Sequence, residues 1–132
     1  MNKLPAYIRQ IDYIDTLHSI TLEIDRDKLT LVTLELDETF KVSQKVMLGI
    51  KSTNISIAKN FMGKISDSNQ LDAIITDIQV GHLLCSVKLQ SYSNHFEVLI
   101  TKDAYLSMRL QIQDAVTLLI RAHEISILEV IE

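Results

Sequence analysis

The feature that most constrains this chain is an internal repetition. Gly49–Ile57 reads GIKSTNISI and Leu119–Ile127 reads LIRAHEISI. Ile50 meets Ile120, Lys51 meets Arg121, and Ile55-Ser56-Ile57 meets Ile125-Ser126-Ile127 at a constant separation of 70 positions. Earlier in the chain the separation is 67. Asn2, Leu4, Ala6, Ile8 and Ile11 fall on Asn69, Leu71, Ala73, Ile75 and Ile78, and the match continues through Leu17/Leu84, Ser19/Ser86 and Leu22/Leu89. The offset changes where Thr101–Gln111 (TKDAYLSMRLQ) exceeds its counterpart LELDETFK in length. Self-similarity of this kind marks a duplicated structural unit. The predicted division is therefore a first unit over residues 1–58, a connector over 59–64 and a second unit over 65–132.

Each unit reads as β-structure. Apolar residues alternate at Ile20-Leu22-Ile24, Leu29-Leu31, Val46-Leu48-Ile50, Phe96-Val98-Ile100, Val116-Leu118-Ile120 and Ile125-Ile127, the period of a half-buried strand. These runs are rich in Ile, Val, Leu and Thr. Polar breaks such as Asp25-Arg26-Asp27-Lys28 and Ser91-Tyr92-Ser93-Asn94 separate them at hairpin length. Ile8, Ile11, Ile14, Leu17 and Ile20 recur every three residues, which alone would suggest a helix. In the second copy, however, Gly81 stands where Ile14 does and the stripe is lost. The prediction is strands joined by an irregular turn, with one short helix over Lys102–Met108 in the second copy only.

Composition excludes several classes. Of 132 residues, 47 % are hydrophobic and 23 % charged, which calls for a packed core. A net charge of −4 and a pI near 5.5 leave no basic surplus for a phosphate backbone, so no nucleic acid is expected as partner. No apolar run approaches the roughly 18 residues of a membrane span. The opening MNKLPAYIRQIDYID lacks the apolar core of a secretory signal. With Cys85 as the only cysteine there is no internal disulfide, and a cytoplasmic location is expected.

Chemistry-bearing constellations are sparse. His18, His82, His95 and His123 have no metal-like spacing, and His18 falls on Cys85 across the repeat. His82 and Cys85 would be two zinc ligands without the other two. The aspartates at 12, 15, 25 and 27 read as turn and edge residues, and with glycine only at 49, 63 and 81 there is no phosphate loop. No enzyme activity, cation site or organic cofactor is expected.

At this point the residues carry a resemblance. ISDSNQLDAIITDIQVGHLLCSV, Ile65–Val87, resembles the opening of a Mop domain, the small molybdate-binding unit of the TOBE superfamily, which begins Ser-Ala-Arg-Asn-Gln-Leu-x-Gly-x-Val and closes near Ile-Lys-x-Ser/Thr-x-Val. Ser66, Asn69, Gln70, Leu71 and Gly81 match the opening; Ile50-Lys51-Ser52-Thr53-Asn54-Ile55 matches the close of the first copy and Ile120-Arg121-Ala122 that of the second. The resemblance spans the chain as a tandem pair. It implies an all-β fold of two five-stranded OB-like β-barrels, whose strands are open to exchange because tandem copies present equivalent edges. It implies a symmetric homo-oligomer, a trimer ahead of a dimer, with oxyanion sites between units, and molybdate or tungstate as ligand.

A tetrahedral dianion needs hydrogen-bond donors and little else. Lys51 supplies a charge, Ser52 a hydroxyl and the neighbouring amides neutral donors. The resemblance adds Ser66, Ser68 and Asn69 to this set, drawn from the opening of the second copy. A weaker second site would use Arg121 and Ala122. Three departures stand out. Ser68 replaces the motif's arginine, Ala73 replaces its glycine, and Ala122 lacks the hydroxyl of Ser52. The competing reading is a Mop-like module whose anion site has decayed and which serves as partner of a molybdate transporter ATPase or regulator.

Overall fold

The computed structural model describes residues 1–132. The elements are β1 (Asn2–Ile14), β2 (Leu17–Ile24), β3 (Asp27–Thr33), β4 (Lys45–Ile50), β5 (Ile55–Ala58), β6 (Asn69–Val80), β7 (Leu84–Ser91), β8 (Asn94–Thr101), α1 (Lys102–Met108), β9 (Ala115–Ile120) and β10 (Ser126–Val130). The duplication shows in their boundaries. β2 and β3 start 67 residues before β7 and β8, and β4 starts 70 residues before β9. Single 3-10 turns at Ser52–Asn54 and Ala122–Glu124 repeat at 70.

The first step of the three-residue stripe, Ile8 to Ile11, comes from a bulge, while Ile14 and Leu17 are exposed around the β1–β2 turn. β1 carries a β-bulge at Arg9, so that Ile8 pairs with Leu22 while Ile11 pairs with Ile20. An extra residue in a period-two strand turns two steps into three and keeps both isoleucines on the inner face. β6 has the same bulge at Thr76, between Ile75 and Asp77. At the hairpin that follows, the Gly81 amide bonds the Leu84 carbonyl, and a Cβ on Gly81 would collide with that oxygen. The predicted helix forms over Lys102–Met108. Thr101 Oγ1 caps it by accepting from the Ala104 amide at 3.0 Å, and Arg109 ends it in the left-handed conformation. The first copy has Leu34 at the position of Thr101, which offers no capping oxygen.

The strands form two antiparallel sheets, ordered β10-β4-β1-β2-β3 and β5-β9-β6-β7-β8. The last strand of each copy has crossed over. β5, from the first copy, pairs with β9 of the second (Ile55 opposite Ile120), and β10 pairs back with β4 (Ser126 opposite Gly49). One continuous core of 25 buried residues runs through both sheets, from Leu4, Ile20 and Leu48 to Leu71, Val87 and Leu118, so neither half owns a complete core.

The five antiparallel strands expected of each OB-like unit are present, but neither sheet closes into a full barrel: β3 and β10 are the edges of one and β5 and β8 of the other. Two matched asparagines bond to these edges. Asn69 Oδ1 accepts from the Thr30 amide at 2.7 Å, and Asn69 Nδ2 donates to the Thr30 carbonyl at 3.0 Å. Asn2 does the same to Glu97, accepting at 2.7 Å and donating at 2.8 Å. Thr30 and Glu97 are themselves 67 apart, on the edge strands β3 and β8. A side-chain amide from the opposite half thus occupies each edge's outward peptide group, where a closing strand would otherwise bond.

Removing one clasp leaves a peptide N–H and C=O without their partner. Asn69→Ala is expected to lower unfolding stability by about 1–3 kcal/mol, because the two Thr30 groups it frees are partly buried and water offsets some of their loss. Chemical denaturation of variant and wild type checks this; equal midpoints and slopes would refute the clasp.

Candidate functional site

Both basic residues of the repeat sit where the chain leaves one sheet for the other. Lys51 follows β4 and opens the 3-10 turn that leads to β5, closed by the Asn54 amide on the Lys51 carbonyl at 2.9 Å. Arg121 follows β9 and opens the turn to β10, closed by the Glu124 amide on its carbonyl at 3.1 Å. Their backbones agree, with φ/ψ of −65/139 and −76/143. The two crossovers are thus the same piece of structure with different side chains.

Those side chains are in different states. Lys51 is exposed and makes no capping bond, and Ser52 beside it is half-buried. The Lys51 ammonium has no carboxylate within ion-pair reach, unlike Arg9, Lys59 and Arg121. Arg121 Nε stands 3.7 Å from Asp67 Oδ1, with the Asp67 side chain 13 % exposed. A carboxylate beside the guanidinium offsets its attraction for an anion, and Ala122 next to it brings no hydroxyl.

Ser66 and Ser68 are exposed, on the segment that enters β6. Asn69 pairs in register with Ile120, whereas Asn2 pairs with Ile50. Within one chain, then, the opening of the second copy runs beside Arg121, and Lys51 stands on the equivalent edge beside Asn2. The structure brings Ser66, Asp67 and Ser68 to the Arg121 edge and leaves Lys51 and Ser52 together on the other. Asn69 is 1 % exposed, its amide engaged by Thr30. Its position was readable: Asn69, Leu71, Ala73 and Ile75 alternate inward, and so do Asn2, Leu4, Ala6 and Ile8.

Sequence reasoning missed a third contact between the halves. Asp25, in the β2–β3 turn, accepts from Ser93 Oγ at 2.7 Å and Asn94 Nδ2 at 2.8 Å in the β7–β8 turn, while Arg26 stands 5.7 Å over the Tyr92 ring. Burial, reinforced by Asp72 and Asp25, pushes the neighbouring Asp27 carboxyl above its ordinary range. The connector is tied down by Lys59, which donates to the Arg109 carbonyl at 2.9 Å and pairs with Asp114 at 3.1 Å. The Gln111 amide, and secondarily Lys59, hold the Asp114 carboxyl below its ordinary range. No group of three or more His, Cys, Asp or Glu is placed to hold a metal ion, and no helix is long and apolar enough to cross a membrane.

Two open five-stranded sheets with exchanged last strands define a tandem, interlocked all-β fold, and that fold has a solved counterpart. The cytoplasmic molybdate-binding protein ModG, in a crystal form with molybdate bound, superposes with a TM-score of 0.87 over 96 % of this chain and 94 % of its own, at 16 % sequence identity. At that identity the likeness establishes the fold. No protein-family profile and no curated protein sequence matches the chain.

The raised Asp27 carboxyl has a measurable consequence. A carboxyl whose folded pKa lies above its unfolded value destabilises the fold while ionised, and the cost disappears as pH falls below the unfolded value. Asn94 occupies the equivalent position in the second copy. Asp27→Asn is therefore expected to raise the melting temperature at pH 7 and to melt like wild type near pH 3. A variant less stable than wild type at pH 7 would contradict this.

Proposed function

We propose that the chain is a cytoplasmic, non-catalytic oxyanion-binding protein that takes up molybdate or tungstate for storage, homeostasis or sensing. The observation that supports this most is the match, over nearly the whole of both chains, to the fold of a molybdate-binding protein with molybdate bound. In this reading, residues 1–58 and 65–132 are two OB-like Mop units joined by 59–64, each completed toward a five-stranded barrel by the last strand of the other.

The stronger site uses Lys51 and Ser52, an unpaired ammonium and a hydroxyl side by side on a crossover turn. Ser66 and Ser68 add hydroxyl donors, and Asn69 fixes the start of the strand that carries them. In one chain these serines flank Arg121, so they reach a Lys51 edge only when copies assemble. That geometry favours a homo-oligomer with sites between copies, and the resemblance to tandem Mop proteins puts a trimer ahead of a dimer. Each hydrogen bond to a charged group contributes roughly 1.5–3 kcal/mol, so three or four hold a dianion without a basic surface. The second edge, Arg121 and Ala122, is weaker because Asp67 already pairs with its cation.

Isothermal titration with molybdate, tungstate and sulfate tests the reading. Lys51→Ala is expected to weaken binding about tenfold to a hundredfold, and Arg121→Ala to change it little. If Arg121→Ala abolishes binding and Lys51→Ala does not, the wrong edge has been chosen. If none of the anions binds wild type at millimolar concentration, the interaction-module reading prevails. Light scattering is expected to return a multiple of the 15.0 kDa chain mass; a monomer at micromolar concentration would rule out sites between copies.

A further inference from the structure

The duplication provides an internal control for every surface position, and one comparison is unbalanced. On the outer face of the first sheet, Lys45, Tyr7 and Glu23 lie in one row across β4, β1 and β2. The Tyr7 ring is approached by two cations, Arg9 at 4.9 Å and Lys45 at 5.8 Å, and Arg9 also pairs with Glu23 at 3.1 Å. Aromatic ring, carboxylate and cation are all supplied by the chain itself.

The equivalent row of the second sheet is Ala115, Ile74 and Gln90. Lys45 has become Ala115 and Arg9 has become Thr76, so both cations are gone. In their place is an open groove of about 460 Å3, over Ile74, Gln90 and Ala115, lined also by Phe61 of the connector, Tyr92 and Asp72. No basic residue lines it. The carboxylate has moved to Asp72, where the first copy has Pro5, and the rings to Phe61 and Tyr92, where the first sheet has Ile131 and Asp25. Asp72 is exposed and forms no ion pair within the chain, unlike Glu23, Asp67 and Asp114. Arg26 already approaches the Tyr92 ring at 5.7 Å, so the aromatic contribution rests chiefly on Phe61.

We propose that this groove binds a small organic cation, a primary ammonium or guanidinium carried on an apolar body. The charged head pairs with Asp72, and the body lies over Ile74 and Ala115 against Phe61, replacing the cations that the first copy supplies for itself. A carboxylate with an apolar, aromatic-walled groove discriminates this class from anions by charge and from neutral molecules by the loss of a charge-assisted bond. The site is separate from the oxyanion edge and stands or falls without it.

Titration of isotope-labelled full-length protein with benzylamine, followed by amide NMR, tests this, with benzyl alcohol as the neutral match. Benzylamine is expected to give saturable shifts at Asp72, Ile74, Gln90 and Ala115, and benzyl alcohol far smaller ones. Asp72→Asn is expected to weaken binding about tenfold or more. Ala115→Lys, which restores the internal ammonium of the first copy, is expected to abolish it. The same spectra report whether each variant is folded, and the two variants act through different strands, so failure of one to fold leaves the other decisive. Equal binding of benzyl alcohol, unaltered binding by either folded variant, or no saturable shift in wild type would overturn the proposal.

Discussion

A strand that leaves its own sheet to complete another must turn at the point where it changes partners, and here that happens twice, at Lys51–Asn54 and Arg121–Glu124. Everything else in the fold depends on this exchange. Each sheet borrows its fifth strand, and the two share a single core. A lone unit of about 65 residues would bury only about 60 % of its unfolded surface and be marginal; interlocking places both sets of side chains in one interior. The asparagine clasps add a second tie between the halves. The edges β3 and β8, at the far end of each sheet from the exchanged strand, have outward peptide groups that Asn69 and Asn2 bond from the opposite half. An edge so occupied is also protected from pairing with other chains.

The exchange also explains why the candidate donors lie where they do. A crossover turn is surface structure with a fixed backbone, anchored by a strand on either side. A cation on it is therefore held at a defined place without being buried. The two copies have diverged at this point more than in their cores. Lys51 keeps an unpaired charge beside a hydroxyl, while Arg121 faces Asp67 beside an alanine. Thr101 caps a helix in the second half, whereas the first half has Leu34 at that position, a shorter segment and no helix. Divergence on the outer face opened a groove in the second half that the first half fills with its own cations.

Much of this was legible because the repeat gives two readings of every element. The strand boundaries follow the offsets of 67 and 70, and the helix at Lys102–Met108 occupies the insertion between them. The three-residue stripe from Ile8 to Ile20 is rejected as a helix only because Gly81 interrupts its counterpart; the bulge behind its Ile8–Ile11 step leaves no mark in residue type. Sequence could not reveal which strands would be exchanged, since β5 and β10 are equivalent and either sheet offers each the same edge. Asn69 was read as a ligand donor by resemblance, and the structure shows its amide holding Thr30. Its inward place in the alternation was the physical signal. The Asp25 clasp was hidden because a turn aspartate looks the same whether its partner is water or a distant serine.

The proposed function rests on the Lys51 crossover turn as an anion site. Crystals grown with tungstate and measured at the tungsten absorption edge test it most directly, because the anomalous signal locates the metal atom without reference to any expectation. The account predicts an anomalous peak whose oxyanion lies within hydrogen-bond reach of Lys51 Nζ and Ser52 Oγ, with a weaker peak or none beside Arg121. A strong peak confined to the Arg121 edge, or no peak at either crossover in tungstate-saturated crystals, would contradict it.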